Sequence, residues 1–419
     1  MRRVRWPIAV LAALTMLSMR SDWSACAARK ENPLVVTLGP EVVVAQSEEE
    51  KHPWGVWQFP SITRLDSGRL RVSFSQTVDS AALDSVRKHF PPGRYDSDDG
   101  GRTWRPAQAG DSDGGCRLAN GTAIRLQAPP AQDIPLSQLP PPAGQPDHGY
   151  HGVYMIRDPQ KMPPGLGQWH VLRRSPGRET WERLPATLDD PDGGVLCYDP
   201  PGKDHAVVRW QMLMQLVALP DNSALAVFYN FRLNPDRTVR PKWESYCLRT
   251  TDEGRTWRFH GTIARDDHHP LAGFTEPYVT LRGDGLLLAA LRTECAKSGP
   301  LYVAQSRDGG RTWSEPSLVH PFGVLPRLLS LENGVTVLSF GRPGVHLLFT
   351  RDGAKWEGLH TLIAEKKRQT RTSGYTGLIA VGPDRFLIAY DQFDYPNEEG
   401  QPRKTILVRE VQVSAAPQR

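Results

Sequence analysis

The chain has 419 residues, and 51 Lys and Arg against 46 Asp and Glu leave a formal charge of only +5, too small a basic excess to suggest a nucleic-acid partner. Five Cys in this length exclude a disulfide-built scaffold, and no Cys or His spacing suggests a metal site or a bound cofactor. With 37 Gly and 37 Pro, turn dipeptides fall throughout and no long amphipathic helical stretch occurs, which predicts an all-β fold of short strands.

In chain order, Arg2, Arg3 and Arg5 precede an apolar run from Ile8 to Met16, and the small residues Ser24 to Ala28 follow. A charged start, a short apolar core and an A-x-A-like site predict an export signal over residues 1–28, leaving residues 29–419 as one domain. The apolar run is too short to span a bilayer, so no integral membrane span is expected. Its loss lowers the formal charge to about +2 by counting, and the mature protein is expected in the periplasm or outside the cell. Cys26 is compatible with a lipoprotein anchor, but Trp23 stands where a small aliphatic residue is usual. Export would leave Cys116, Cys197, Cys247 and Cys295 available to pair, in three possible ways.

One pattern then recurs. Ser97-Asp-Asp-Gly-Gly-Arg-Thr-Trp104 and Ser306-Arg-Asp-Gly-Gly-Arg-Thr-Trp313 agree at every fixed position. Thr250-Thr-Asp-Glu-Gly-Arg-Thr-Trp257 has Thr for the first Ser, Thr350-Arg-Asp-Gly-Ala-Lys-Trp356 is one residue short, and Ser175–Trp181 is a worn copy. Each reads as a hairpin tip in which Asp accepts from backbone N–H groups, Gly takes positive φ, and Trp packs between neighbouring elements. Between them lie apolar hairpins at Ile62–Phe74, Leu216–Tyr229, Thr280–Arg292, Leu328–Phe340 and Leu378–Tyr390. Such repetition predicts radial blades, specifically a six-bladed β-propeller of four-stranded antiparallel blades, closed by the two chain termini sharing a blade. The Pro-rich stretch around Pro129–Pro146 suits an extended surface loop.

The S-x-D-x-G-x-T-W pattern resembles the Asp-box repeats of the sialidase (neuraminidase) superfamily of six-bladed propellers, over roughly residues 50–395. The boxes themselves are a folding device, so function has to be argued from other positions. The resemblance implies an exo-acting glycoside hydrolase that releases a terminal acidic sugar from glycans, with a Tyr nucleophile. Ser373-Gly-Tyr-Thr-Gly-Leu378 looks like the Tyr-bearing motif and gives Tyr375; Thr275-Glu-Pro277 looks like the Glu-bearing one and gives Glu276. A neutral phenol suits an anionic sugar, and a nearby Glu can take its proton. The family's acid/base Asp would be Asp79 or Asp84. Of its three carboxylate-binding Arg, Arg292 and Arg342 fit the second and third, while Gln58 in Trp57-Gln-Phe-Pro60 occupies the place of the first. A guanidinium meets a carboxylate with two charged bonds; an amide supplies no charge. That substitution also implies an alternative, a carbohydrate-binding or scaffold propeller without catalysis. No role is implied for the polar run Asp267-His-His269.

Overall fold

The computed structural model describes residues 33–79, 91–108, 114–146, 154–266, 273–293, 299–365 and 371–415. The expected export signal, Cys26, Asp84, Asp267–His269 and Cys295 lie outside these residues. The fold is all-β, as expected from the turn-rich composition. Each of the five apolar hairpins forms the first two strands of an antiparallel group; Phe274–Leu281 and Leu287–Thr293 are one such pair. A sixth, shorter pair, Cys116–Arg117 with Ala123–Gln127, has too few apolar residues to stand out in the sequence.

The groups follow one another round a centre. Gln58–Arg64 stands beside Thr376–Ala380, which stands beside Val324–Ser330; the succession continues through Phe274–Leu281 to Met212–Ala218 and on to Cys116–Arg117. The remaining junction carries the ion pair between Arg174 and Asp66. Chain closure is as predicted: Leu34–Gln46 pairs antiparallel with Pro402–Ala415, so the first and last strands share a sheet with Arg385–Pro396 and Thr376–Ala380.

Two features differ from uniform four-stranded units. Glu182–Asp189 pairs in parallel with Thr256–Ala264, which fuses two neighbouring groups into one eight-stranded sheet. The Pro-rich stretch is not wholly a loop, because Gln132–Pro135 pairs with His205–Arg209 in an additional sheet completed by Val195–Tyr198 and Tyr154–Arg157. Gln132–Pro135 is the edge strand there, the one place where Pro can sit without breaking a ladder on both sides.

The Asp boxes act as the sequence predicts. Asp308 accepts from the backbone N–H groups of Arg311 and Thr312 and from the Thr312 hydroxyl at 2.6 Å, while Trp313 Nε1 donates to Gly310 O at 3.0 Å. These bonds hold the Asp308 carboxyl down at about 2. Gly310 has φ 89°, and an added Cβ there would lie 2.9 Å from Leu225 of the preceding group. Trp313 packs on that same group through the cluster containing Leu225, Val227 and Cys247. Trp257 packs with Trp169 and Val171, Trp104 with Leu387, and Trp356 with Leu288. Each of these four boxes therefore wedges its own antiparallel group against the one before it. In the shortened box Trp356 Nε1 is buried with no acceptor among the described residues. Cys116, Cys197 and Cys247 are free thiols, the last two buried in the core, so the described residues contain no disulfide.

Candidate active site

At the central end of three first strands the ladder slips and the backbone turns left-handed just before a Pro. The residues are Phe59 (φ 59°), Glu276 (φ 46°) and Leu325 (φ 39°), preceding Pro60, Pro277 and Pro326. Register breaks fall at Gln58/Ser61, Thr275/Tyr278 and Val324/Arg327. A bulge re-aims side chains, and non-glycine residues at positive φ store strain that ordinary packing does not require. Here the bulge brings Glu276, only 8% exposed, toward groups from neighbouring sheets.

Glu276 Oε1 accepts from Tyr375 Oη at 2.7 Å and from Arg292 Nη1 at 2.9 Å, and its Oε2 accepts from the Leu325 N–H at 2.8 Å. Arg292 arrives from the adjacent strand, directly opposite Thr275 in register. Tyr375 comes from a motif 99 positions further on, immediately before Thr376–Ala380. Burial alone would raise the Glu276 pKa, but the Arg292 guanidinium, the Tyr375 hydroxyl and the Leu325 N–H together hold it below the usual carboxylate range. Burial first, and the Glu276 anion second, push the Tyr375 phenol far above its ordinary value. At neutral pH the pair is thus a neutral phenol donating to an ionised carboxylate, which is the arrangement a phenol needs if a base is to take its proton.

Arg342 (φ 63°, 7% exposed) lies between two rings, 5.3 Å from the centroids of both Trp54 and Tyr375. Its Nε and Nη2 donate to Ser373 O, two residues before Tyr375. Phe59 packs against Tyr375 with centroids 4.8 Å apart, and Trp54 meets Phe59 edge-on. Tyr375, Glu276, Arg292 and Arg342 are therefore brought together.

The other predicted site residues are placed differently. Gln58 is 1% exposed, and its carbonyl accepts from the Gly55 N–H at 2.7 Å, so its amide closes the Trp54–Gln58 turn within the protein. Asp79 is exposed, and its backbone N–H donates to Trp54 O. Asp84, the other acid/base candidate, lies outside the described residues.

One further residue has no signature in the sequence. Asp391, fully buried, accepts from Thr372 Oγ1 (2.9 Å), Ser373 N (2.7 Å), Ser373 Oγ (2.5 Å) and Phe59 N (3.1 Å). Ser373 Oγ in turn accepts from the Tyr375 N–H. Burial raises the Asp391 pKa, against the opposing pull of these donors. This carboxyl ties together the turn that carries Tyr375 and the bulge that carries the ring packed on it. Among the described residues no cluster of His, Cys, Asp and Glu could hold a metal ion, and no helix is long and apolar enough to cross a membrane.

Residues 217–397 match the family model of a BNR repeat-like domain. No curated protein matches the chain. Among solved structures, a protein of unknown function from Dyadobacter fermentans aligns over 90% of this chain and 99% of its own, at 18% identity and a TM-score of 0.58, which shows a shared fold. The Hadza microbial sialidase Hz136 aligns over 85% of this chain and 65% of its own (16% identity, TM-score 0.49). An alpha-L-arabinanase from Penicillium chrysogenum aligns over 89% and 98% (15% identity, TM-score 0.45).

Proposed function

We propose that the chain is a glycoside hydrolase whose nucleophile is Tyr375, a reading supported by the match of residues 217–397 to a BNR repeat-like domain. The observation that carries this reading is the contact of Tyr375 and Arg292, two side chains from separate segments, with the one Glu276 carboxylate. On this reading the antiparallel groups are the six blades of a propeller, with the fused sheet counted as two. Residues 1–28 are an export signal, so the purified exported protein should begin near residue 29 by intact mass.

In the proposed reaction the Tyr375 Oη forms a bond to the anomeric carbon while its proton passes to Glu276. The glycosidic C–O bond breaks as an acid, Asp79 or Asp84, protonates the leaving oxygen. Water, deprotonated by that same Asp, then displaces the phenolate, which recovers its proton from Glu276. Arg292, bonded to Glu276, and Arg342, 5.3 Å from the Tyr375 ring centroid, supply positive charge near Tyr375, which favours a sugar bearing a carboxylate, sialic acid or a relative. The inward-turned Gln58 favours a second reading, a carbohydrate-binding propeller that does not turn over. Aryl glycosides of acidic and neutral sugars separate the two. Cleavage of an acidic glycoside, lost in Tyr375→Phe, supports the hydrolase; binding without cleavage supports the alternative.

A further inference from the structure

Lys404, near the start of Pro402–Ala415, is 5% exposed. Its Nζ donates to Pro53 O at 2.8 Å and to Val56 O at 2.9 Å, and lies 5.0 Å from the Phe393 ring centroid. Those two carbonyls bracket Trp54 and Gly55, at the opposite end of the chain. The same turn is also held by Gln58 Oε1 on the Gly55 N–H, by the Asp79 N–H on Trp54 O and by Ser75 O on the Trp57 N–H. Those three are bonds between neutral groups, whereas an ammonium makes the stronger, charge-assisted kind.

Trp54 connects this anchor to the candidate active site. Its ring meets Phe393 at 6.2 Å and Phe59 at 5.6 Å, both edge-on, and Phe59 packs on Tyr375. Trp54 is also one of the two rings between which Arg342 lies, the other being Tyr375. A shift of the Trp54 turn therefore takes away one of the walls that hold Arg342 in place.

Burial pushes the Lys404 ammonium down from its ordinary 10.5 to about 8, against the opposing pull of the Asp391 carboxyl. The folded value lies below the unfolded one, so burying this cation costs stability at neutral pH, and the cost fades as pH rises through about 8. An apolar side chain of the same length would fill the space without that cost; what the charge adds is its hold on the turn. Asp391 acts on Lys404 from Arg385–Pro396, where Asp394 is paired with Arg371. Pro53–Trp57 carries no titratable side chain, and His52 ahead of it is exposed beside Glu50. On its own strand, Arg403 donates to Glu48 O.

We propose that Lys404 is a positioning residue: its ammonium holds the Trp54–Gln58 turn so that Trp54 keeps Arg342 beside Tyr375, and the site loosens when that charge is lost. For an acidic sugar this rests on the hydrolase reading; the hold on Trp54 does not.

Protein labelled with fluorotryptophan, its Trp54 signal assigned through Trp54→Phe, is titrated by fluorine NMR between about pH 6.5 and 9.5 in wild type, Lys404→Met and Lys404→Arg. Thermal melts check folding. The wild-type Trp54 signal should move with a midpoint near 8, and should not move in either variant over that range. Should Lys404→Arg fail to fold, wild type against Lys404→Met decides alone. A Trp54 signal that stays still in wild type, or moves with the same midpoint in folded Lys404→Met, overturns the proposal. On the acidic glycoside that the panel identifies, Lys404→Met should raise KM about tenfold at pH 6.5 with little change in kcat, and folded Lys404→Arg should restore it. An unchanged KM overturns the link from Lys404 to Arg342. A Trp54 signal that titrates as stated, with no glycoside cleaved, overturns the hydrolase reading and leaves the hold of Lys404 on Trp54 standing.

Discussion

Replacing Glu276 with Gln keeps the side-chain shape and removes the charge on which three donors converge. The carboxylate receives Tyr375 Oη, Arg292 Nη1 and the Leu325 N–H, at 2.7, 2.9 and 2.8 Å. An amide has one acceptor oxygen, so whichever way it is turned at least one donor then faces an N–H group. Arg292, with a side chain only 13% exposed, also loses the Glu276 counter-charge. Breaking a buried pair costs about 3–5 kcal/mol, and the residual exposure of both partners points to the lower end. Tyr375→Phe removes a single bond to a charged acceptor, about 1.5 kcal/mol at the low end of its range, because Glu276 retains two donors and the ring stays packed on Phe59. Urea unfolding at pH 7 should therefore rank Glu276→Gln as the costlier change, although both should abolish turnover. The pH dependence follows from the depressed carboxyl. Its contribution is complete above the unfolded value near 4.5 and is lost as pH falls through the lower folded value. The gap between wild type and Glu276→Gln should shrink between pH 7 and about pH 3. An unchanged gap, or a larger cost for Tyr375→Phe than for Glu276→Gln, would refute the reasoning.

Asp391→Asn should lower kcat about 10–100-fold with KM nearly unchanged, because it loosens the turn that aims Tyr375 without touching substrate; a raised KM at constant kcat would contradict that positioning role. Trp257→Ala, which empties a fully buried site between two antiparallel groups of the fused sheet, should cost about 3–5 kcal/mol in urea unfolding, and a loss under about 1 kcal/mol would mean that the box Trp is not a wedge.

What the sequence reveals and what it hides divide along physical lines. Asp308, Gly310 and Trp313 interact within one turn, so their roles are legible from their spacing. Tyr375 and Glu276 are legible only by family resemblance, because a contact across 99 positions leaves no local pattern. Asp391 is invisible for a related reason: it sits within an apolar strand, and only the folded chain brings Phe59, Thr372 and Ser373 to it. Gln58 falls at the expected position, but its direction depends on the Gly55 N–H, a competition between partners that no motif encodes. Gln132–Pro135 reads as a loop because its partner His205–Arg209 lies some 70 residues further along.

The most direct test of Tyr375 as nucleophile is to trap it. The protein is incubated with a fluorinated, activated glycoside of the acidic sugar that it cleaves, quenched, digested and analysed by mass spectrometry. One added sugar is expected on the peptide containing Tyr375, absent from Tyr375→Phe and strongly reduced in Glu276→Gln. A sugar attached to any other residue, or undiminished turnover in Tyr375→Phe, would contradict it.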